Sequence, residues 1–375
     1  MQELTFGIRD ILKGPRLAWS LRKMYVAGRG LFVSWAVYLV FTYAALLMTG
    51  MGRETGPVAL FRHFEFFPCL IPAQPGIAAL LLWAIGMAFA VFILLNAAVA
   101  VARIAFEDLR GNEVFQIHEA LAFAGRQRKS LLFATLVPGV IGAVFIIVII
   151  IAGAFGRIPV IGELLVALSF LPLFFWALLG VFILIVFFSG IALVPSICAS
   201  TGEDGLECVL QLFSSIYSRL SRWILYEIAA KAVTAIAGIL LLLLTVAALH
   251  GMNILLGFMM GYPYCEVMTI ALYRLPVVMD IRAFISMLAG FGDLLWFPYI
   301  VDTFMATGII KVSGWLAGIS LLAILTWVAS YIFAAFYSSQ VILFLILRKQ
   351  KNGEDLRVKA HLTDFNPEIS DPDSN

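Results

Sequence analysis

Long apolar runs alternate with short charged segments along almost the whole chain. Because a helix needs about 20 apolar residues to cross a bilayer, six runs qualify as spans: 31–50, 76–101, 131–153, 164–195, 223–249 and 312–347. Lipid offers an exposed backbone no hydrogen-bond partners, so such runs cross as helices. The pattern predicts an all-α, polytopic transmembrane helical bundle over residues 31–347.

Lysine and arginine are divided unequally between the two sides that these spans define. Six fall in the N-terminal segment 1–30, five in the second loop, two in the fourth loop and five in the polar tail 348–375, against six in the outer loops. Positive charge collects on the cytoplasmic side of multi-pass proteins. We therefore expect both termini to lie in the cytoplasm of a bacterium, with the chain in the inner membrane.

The spans form three pairs that repeat one order of elements. A cytoplasmic amphipathic segment leads into a span, an outer loop follows, and a second span returns. Each returning span ends in a glycine with polar and acidic neighbours: Gly111-Asn112-Glu113, Gly202-Glu203-Asp204 and Gly353-Glu354-Asp355. Since internal repeats are common in membrane proteins, we expect three span-pair repeats linked by cytoplasmic interfacial amphipathic helices.

The clearest amphipathic segment is residues 201–223. Its apolar positions have helical spacing and form one stripe: Leu206, Val209, Leu210, Phe213, Ile216, Tyr217 and Leu220. Thr201 followed by Asp204 resembles a capping signal, and Arg219 and Arg222 add positive charge near the end. The segment is predicted to lie in the membrane interface with its apolar stripe in lipid. Packing of the stripe on the protein's own spans is the alternative, and the two are compatible.

Weaker stripes occur in residues 113–129 and in the N-terminal segment. In the N-terminal segment, Gly14-Pro15 is expected to separate two short helices, because proline lacks the N–H that a helix interior requires.

Composition agrees with membrane insertion. The 375 residues are 62% hydrophobic and 13% charged, with a mean hydropathy of +1.01, whereas soluble domains are about 45–50% apolar and about 25% charged. Lysine and arginine number 25 against 23 acidic residues. Such a balance gives no basic face, so we expect no nucleic-acid partner.

Two ionisable residues, Glu227 and Lys231, fall inside the fifth span. Four residues apart, they share one helical face in the order that favours an ion pair. Ionisable residues within spans often belong to transport pathways. Glu227 is nevertheless close enough to Arg222 to reach the headgroups, so a structural pair is the favoured interpretation and a transport role the alternative.

Cysteine and histidine offer little chemistry. Cys69 and Cys265 fall in predicted outer loops, where oxidising conditions would permit a disulfide, although free thiols are the simpler interpretation. None of the four histidines lies in the middle of a span. The sequence has no phosphate-binding loop, zinc-protease helix or nucleophile elbow. We expect no cofactor and no metal.

The outer region 250–311 mixes apolar runs with tyrosine, aspartate and tryptophan. One or two helices on the outer leaflet are expected there. A hidden pair of extra spans, a re-entrant element or a docking surface for a partner are the alternatives.

Two stretches resemble a known pattern. They are VPSICASTGEDGLECVLQLFSSIYSRLSRWILYEI (194–228) and YSSQVILFLILRKQKNGEDL (337–356). Both resemble uncharacterised bacterial polytopic inner-membrane proteins and are loosely similar to the membrane domain of some glycerophosphodiester phosphodiesterases. The chain departs from the pattern at Gln350 and Lys351, where the family is more acidic. The resemblance implies an architecture and no activity.

These observations favour a non-enzymatic integral membrane protein, a scaffold or accessory subunit of a membrane complex that docks partners or organises lipid. The expected partners are membrane lipids and other membrane subunits or a second copy of the chain. A transporter or channel that uses Glu227 and Lys231 is the alternative. A membrane-embedded lipid enzyme, with the three Gly-acidic clusters contacting headgroups or metal, is a third hypothesis.

Overall fold

The computed structural model describes residues 4–50, 56–58, 60–61, 64, 66–70, 74–112, 114–159, 161–218, 220–273, 308–353 and 355–358. Within these ranges the chain is predominantly helical and has no strand, so the prediction of an all-α bundle is confirmed. The helices are α1 (Ile8–Ile11), α2 (Gly14–Ala18), α3 (Leu21–Leu47), α4 (Ile77–Arg110), α5 (Ile117–Arg126), α6 (Arg128–Phe155), α7 (Ile161–Thr201), α8 (Gly205–Tyr217), α9 (Leu220–Met260), α10 (Tyr262–Tyr273) and α11 (Gly308–Asn352).

In this described part of the chain, six helices are long and apolar enough to cross a membrane: α3, α4, α6, α7, α9 and α11. Each coincides with one predicted span, and most extend beyond it. α4, for example, continues past residue 101 to Arg110. α4 continues beyond its apolar run because the polar residues of the extension, such as Arg103, Glu107 and Asp108, have partners in the protein.

Short helices lie at the three predicted amphipathic positions. α1 and α2 are separate, and Pro15 occupies the first turn of α2, where a missing N–H costs nothing. α5 begins with a capping box between Gln116 and Glu119. The cap predicted for α8 at Thr201 is wrong. Asp204 is the N-cap, and Thr201 ends α7, where its hydroxyl donates to the carbonyl of Ile197.

The predicted outer region 250–311 is described only in part. α9 runs on to Met260, and Gly261, at φ +65°, ends it. α10 follows directly, and α11 begins at Gly308. Residues 274–307, to which the expectation of extra spans or surface helices mainly refers, lie outside the described residues.

The chain divides into two compact units. Unit 1 comprises residues 1–27, 95–234 and 333–375, and unit 2 comprises residues 28–94 and 235–332. The helices α6, α7 and α8 belong wholly to unit 1 and α10 belongs to unit 2, whereas α3, α4, α9 and α11 contribute residues to both.

The core of unit 1 is built from the ends of the three returning spans. Nearly every residue is buried in 97–107 of α4, 190–200 of α7 and 334–347 of α11. In contrast, large apolar side chains of α7 nearer its start are exposed, such as Leu168 and Phe170. Exposed apolar side chains on a span suit contact with lipid.

Glycines with left-handed backbone close the three returning helices. Gly111, Gly202 and Gly353 have φ of +92°, +69° and +74°. The amide of Gly202 donates to the carbonyl of Cys198 at 3.0 Å, and that of Gly353 donates to Lys349 at 2.9 Å. Only glycine adopts this conformation without steric cost. The glycines that begin the three Gly-acidic clusters are therefore helix C-caps.

Unit 2 holds two apolar clusters. One joins the end of α3 to the start of α4 and the other joins α10 to α11: Ala45, Leu46, Leu60, Leu70 and Ala79, then Tyr264, Met268, Ala271, Leu272 and Leu321. The hydroxyl of Tyr264 donates to the side-chain oxygen of Asn253, which satisfies a buried polar group within the second cluster.

Candidate functional site: charged helix ends and a polar cleft in unit 1

Asp108, near the end of α4, pairs with two cations from the start of α3. The Nζ atom of Lys23 lies 2.7 Å from Oδ2 of Asp108, and Nη2 of Arg22 lies 3.3 Å from Oδ1. Lys23 also donates to the carbonyl of Leu17, and Arg22 donates to the carbonyl of Phe115 at 2.8 Å. The side chain of Lys23 is only 1% exposed. These contacts fasten the start of α3 to the end of α4.

Glu107 forms a second buried centre on α4. Its Oε1 atom lies 2.6 Å from Nη2 of Arg103 and 3.0 Å from Nη1 of Arg110, and Asn112 donates to its Oε2 at 3.4 Å. Arg103 also donates to the carbonyl of Ala199 at 2.9 Å. Glu107 therefore orients an arginine that joins α4 to the last turn of α7.

The predicted intramembrane pair forms a third centre. Nζ of Lys231 lies 3.2 Å from Oε1 of Glu227, and Gln340 of α11 donates to Oε2 at 3.0 Å. The Glu227 side chain is 8% exposed and that of Lys231 60% exposed. Glu227 thus joins α9 to α11. Sequence reasoning missed Gln340, although the polar residues 338–340 within an apolar span were a signal.

The predicted apolar stripe of α8 divides between two environments. Val209 and Ile216 are buried beside Cys208 and Leu212. By contrast, Leu206, Leu210 and Tyr217 are exposed by 63%, 55% and 79%, and Phe213 is half-buried. Arg222 is exposed on the first turn of α9, and Arg219 lies outside the described residues. α8 therefore packs through one face and presents a second apolar edge outward.

A polar cleft of about 180 Å³ lies between α8 and the end of α11. Its walls combine two cations and an acid with amide, hydroxyl and apolar groups: Glu207, Leu210, Gln211, Ser214, Ser215, Phe344, Arg348 and Lys351. Lys351 donates to the hydroxyl of Ser214. Among the described residues, Nε of Arg348 and Oε1 of Gln211 are buried without a hydrogen-bond partner. Sequence analysis did not predict this cleft, since its two walls are far apart in the chain.

The start and the end of the chain meet at Phe6. Gln350 donates to the Phe6 carbonyl and to the Tyr226 hydroxyl, each at 3.2 Å, and the Arg357 guanidinium lies 5.2 Å from the Phe6 ring centre. Burial alone would raise the pKa of Asp355. The hydrogen bonds and charge of Arg357 outweigh burial, so the pKa lies below its ordinary 3.8.

The cysteines are free thiols in the structure. Cys69 is exposed and Cys265 partly exposed, and the bridge between them stays a prediction. Cys198 and Cys208 are buried, with their sulfur atoms 3.3 Å apart where α8 meets α7. In the part of the chain that is described, His, Cys, Asp and Glu nowhere form a group of three or more able to hold a metal ion.

No protein-family model, curated protein or solved structure matches the chain. The chemistry that the site could support therefore has to follow from its geometry alone. The three buried charged centres hold helix ends together. The cleft is lined by two cations, Arg348 and Lys351, and two hydroxyl groups, those of Ser214 and Ser215.

Proposed function

We propose that the protein is a non-enzymatic scaffold or accessory subunit of a membrane complex, which docks partners or organises lipid. The observation that supports this most is the use of charge in unit 1. Asp108 and Glu227 each pair with a cation and contact a second helix, and Glu107 holds Arg103, which contacts α7. Catalytic acids commonly share one cavity with other groups whose pKa values are strongly shifted. These three acids instead take part in contacts that hold different pairs of helices together.

We further propose that the amphipathic segments of unit 1 and the ends of its returning spans lie on the cytoplasmic side of a bacterial inner membrane, with both chain termini on that side. The three amphipathic segments and the ends of the three returning spans all belong to unit 1. The segments rich in lysine and arginine belong there too, and positive charge favours the cytoplasmic side.

The test is extraction of the full chain into lipid nanodiscs, followed by mass spectrometry of everything that remains bound at defined stoichiometry. A stable protein partner, or a second copy of the chain, supports the docking role. Selective retention of a lipid class supports the lipid-organising role. Substrate turnover by the purified protein alone would show that the proposal is wrong.

Transport is the second candidate, because Glu227 is a buried acid inside a span and contacts a second span through Gln340. The test is ion or solute flux in liposomes with Glu227→Gln and Lys231→Met combined. Flux that is present in the native protein and lost in this variant favours transport through the pair. Unchanged flux removes the pair from any such mechanism.

A lipid enzyme is the third candidate and has the least support. Its motif was the set of Gly-acidic clusters, and the left-handed glycines at 111, 202 and 353 account for those clusters as helix ends.

A further inference from the structure

The geometry points to a phospholipid headgroup site in the polar cleft: Arg348 and Lys351 bind the phosphate, and Glu207 contacts an amine beyond it. The preferred lipid then carries an ethanolamine headgroup. This inference deepens the lipid-organising part of the proposed function and rests on it.

The two cations of the cleft, Arg348 and Lys351, can donate further hydrogen bonds. Lys351 contacts a hydroxyl, that of Ser214, and no carboxylate lies within ion-pair distance of its Nζ among the described residues. Nε of Arg348 is buried and has no acceptor in the same part of the chain. Arg348 lines the cleft together with Lys351, so an incoming phosphate oxygen would meet two cations. Phosphate oxygens suit arginine, lysine and serine donors together.

The acid of the cleft is separated along α8 from Ser214, to which Lys351 donates. Glu207 is seven positions before Ser214 on α8, on the order of 10 Å along the helix at about 1.5 Å per residue. Its Oε1 atom accepts a hydrogen bond from Gln211 at 3.3 Å. The cleft therefore holds a cation beside Ser214 and an acid about two helical turns away along α8. A ligand with a phosphate and an amine at its two ends complements both.

The size and the surroundings favour lipid over a soluble phosphate compound. A volume of about 180 Å³ is below the range of about 300–1,000 Å³ typical of whole small-molecule sites, and it suits a headgroup whose chains lie outside. Leu210 forms part of the wall and is 55% exposed, and Leu206 and Tyr217 continue the apolar edge. Acyl chains can cover such an edge, whereas a free phosphate cannot.

The experiment is native mass spectrometry of the full chain, released from nanodiscs that contain equal amounts of phosphatidylethanolamine and phosphatidylglycerol. We expect the native protein to retain the ethanolamine lipid preferentially. Arg348→Gln combined with Lys351→Gln should lower that retention by about tenfold or more, since each tenfold corresponds to the loss of about 1.4 kcal/mol. Glu207→Gln should keep total phospholipid retention and abolish the preference for ethanolamine.

The matched control is Lys349→Gln. Like Lys351→Gln, it removes one positive charge from the same helix end, but Lys349 lies 5.5 Å from the Phe6 ring centre and does not line the cleft. Its lipid retention should equal that of the native protein. If the double variant does not fold, Lys351→Gln alone takes its place, since this exposed side chain tolerates substitution.

Three results would overturn the inference: equal retention of both lipids by the native protein, equal losses in the cleft and control variants, or displacement of the lipid by inorganic phosphate at the concentration that phosphoethanolamine requires. The last result would identify a soluble phosphate site. A protein partner retained in the same preparations would leave the docking role intact while the cleft inference fails. The two failures are therefore distinguishable.

Discussion

Asp108→Asn tests whether the buried charges of unit 1 hold its helices together. The change keeps the shape of the side chain and removes the charge that faces Lys23 and Arg22. Lys23 then remains as a cation whose side chain is 1% exposed, without a carboxylate partner at this position. Asn112 and Phe115 keep their own contacts, so the perturbation is local.

The magnitude follows from the geometry. At 2.7 Å and an effective dielectric constant of about 20, the attraction between unit charges is roughly 6 kcal/mol. Desolvation of both groups offsets part of this attraction. Measured losses on breaking one side of a buried pair are about 3–5 kcal/mol. We expect Asp108→Asn to lower the free energy of unfolding by about that amount.

The assay is equilibrium unfolding of the full chain in mixed micelles by a denaturing detergent, followed by circular dichroism. Glu163→Gln is the control, since Glu163 is an exposed acid near the start of α7 and its loss should cost less than about 1 kcal/mol. The double variant Lys23→Met with Asp108→Asn removes both buried charges and should recover much of the loss, because the two groups are coupled.

The idea fails if Asp108→Asn costs no more than Glu163→Gln. It also fails if the double variant is as unstable as the sum of its two single changes. Either result would mean that the charges of Asp108 and Lys23 do not act on each other in the folded state, despite their separation of 2.7 Å.

Three further predictions concern separate features. Gly202→Ala should destabilise the protein by about 1–2 kcal/mol, because residue 202 has a left-handed φ of +69°. The control is Gly125→Ala, in a helix with open space around it, which should be neutral or stabilising by up to about 1 kcal/mol. Equilibrium unfolding curves of the two variants measure both effects. The folded pKa of Asp355 lies below 3.8, so its ion pair with Arg357 stabilises the fold above that pH, and this stabilisation is lost as pH falls through the folded pKa. Asp355→Asn should therefore make the melting temperature less dependent on pH in this acidic range. An impermeant thiol reagent outside intact cells should label the exposed Cys69; labelling only after reduction would indicate the bridge, and labelling only from the cytoplasmic side would contradict the predicted orientation.

The spans were predictable because each is a local property of the sequence. A run of about 20 apolar residues needs no knowledge of its neighbours to be recognised as a span. The repeated glycines were also local signals, and their left-handed backbone explains why glycine recurs at 111, 202 and 353. The ends of the helices were less predictable: α4, for example, continues into a segment whose polar residues Arg103 and Asp108 have distant partners.

Those partners could not be deduced from the sequence. Arg22 contacts an acid 86 positions away, and Glu227 contacts an amide 113 positions away. The spacing of Glu227 and Lys231 indicated a pair on one helix, which is a local relation. Their link to Gln340 depends on how α9 and α11 pack within unit 1, and a single sequence carries no record of that packing.

α8 shows how a helix can serve protein and lipid at once. A helix turns about 100° per residue, so Cys208, Leu212 and Ile216 share one side, and Leu206, Leu210 and Tyr217 share another. The first set is buried and the second is exposed. A stripe derived from apolar spacing merges the two sides, because hydrophobicity does not distinguish a protein neighbour from an acyl chain. Glu207, Gln211 and Ser214 occupy the arc between them, which is where the cleft opens. A headgroup in that cleft would therefore lie between the packed face and the exposed apolar edge of α8. Its binding would depend on how α8 packs against the rest of unit 1.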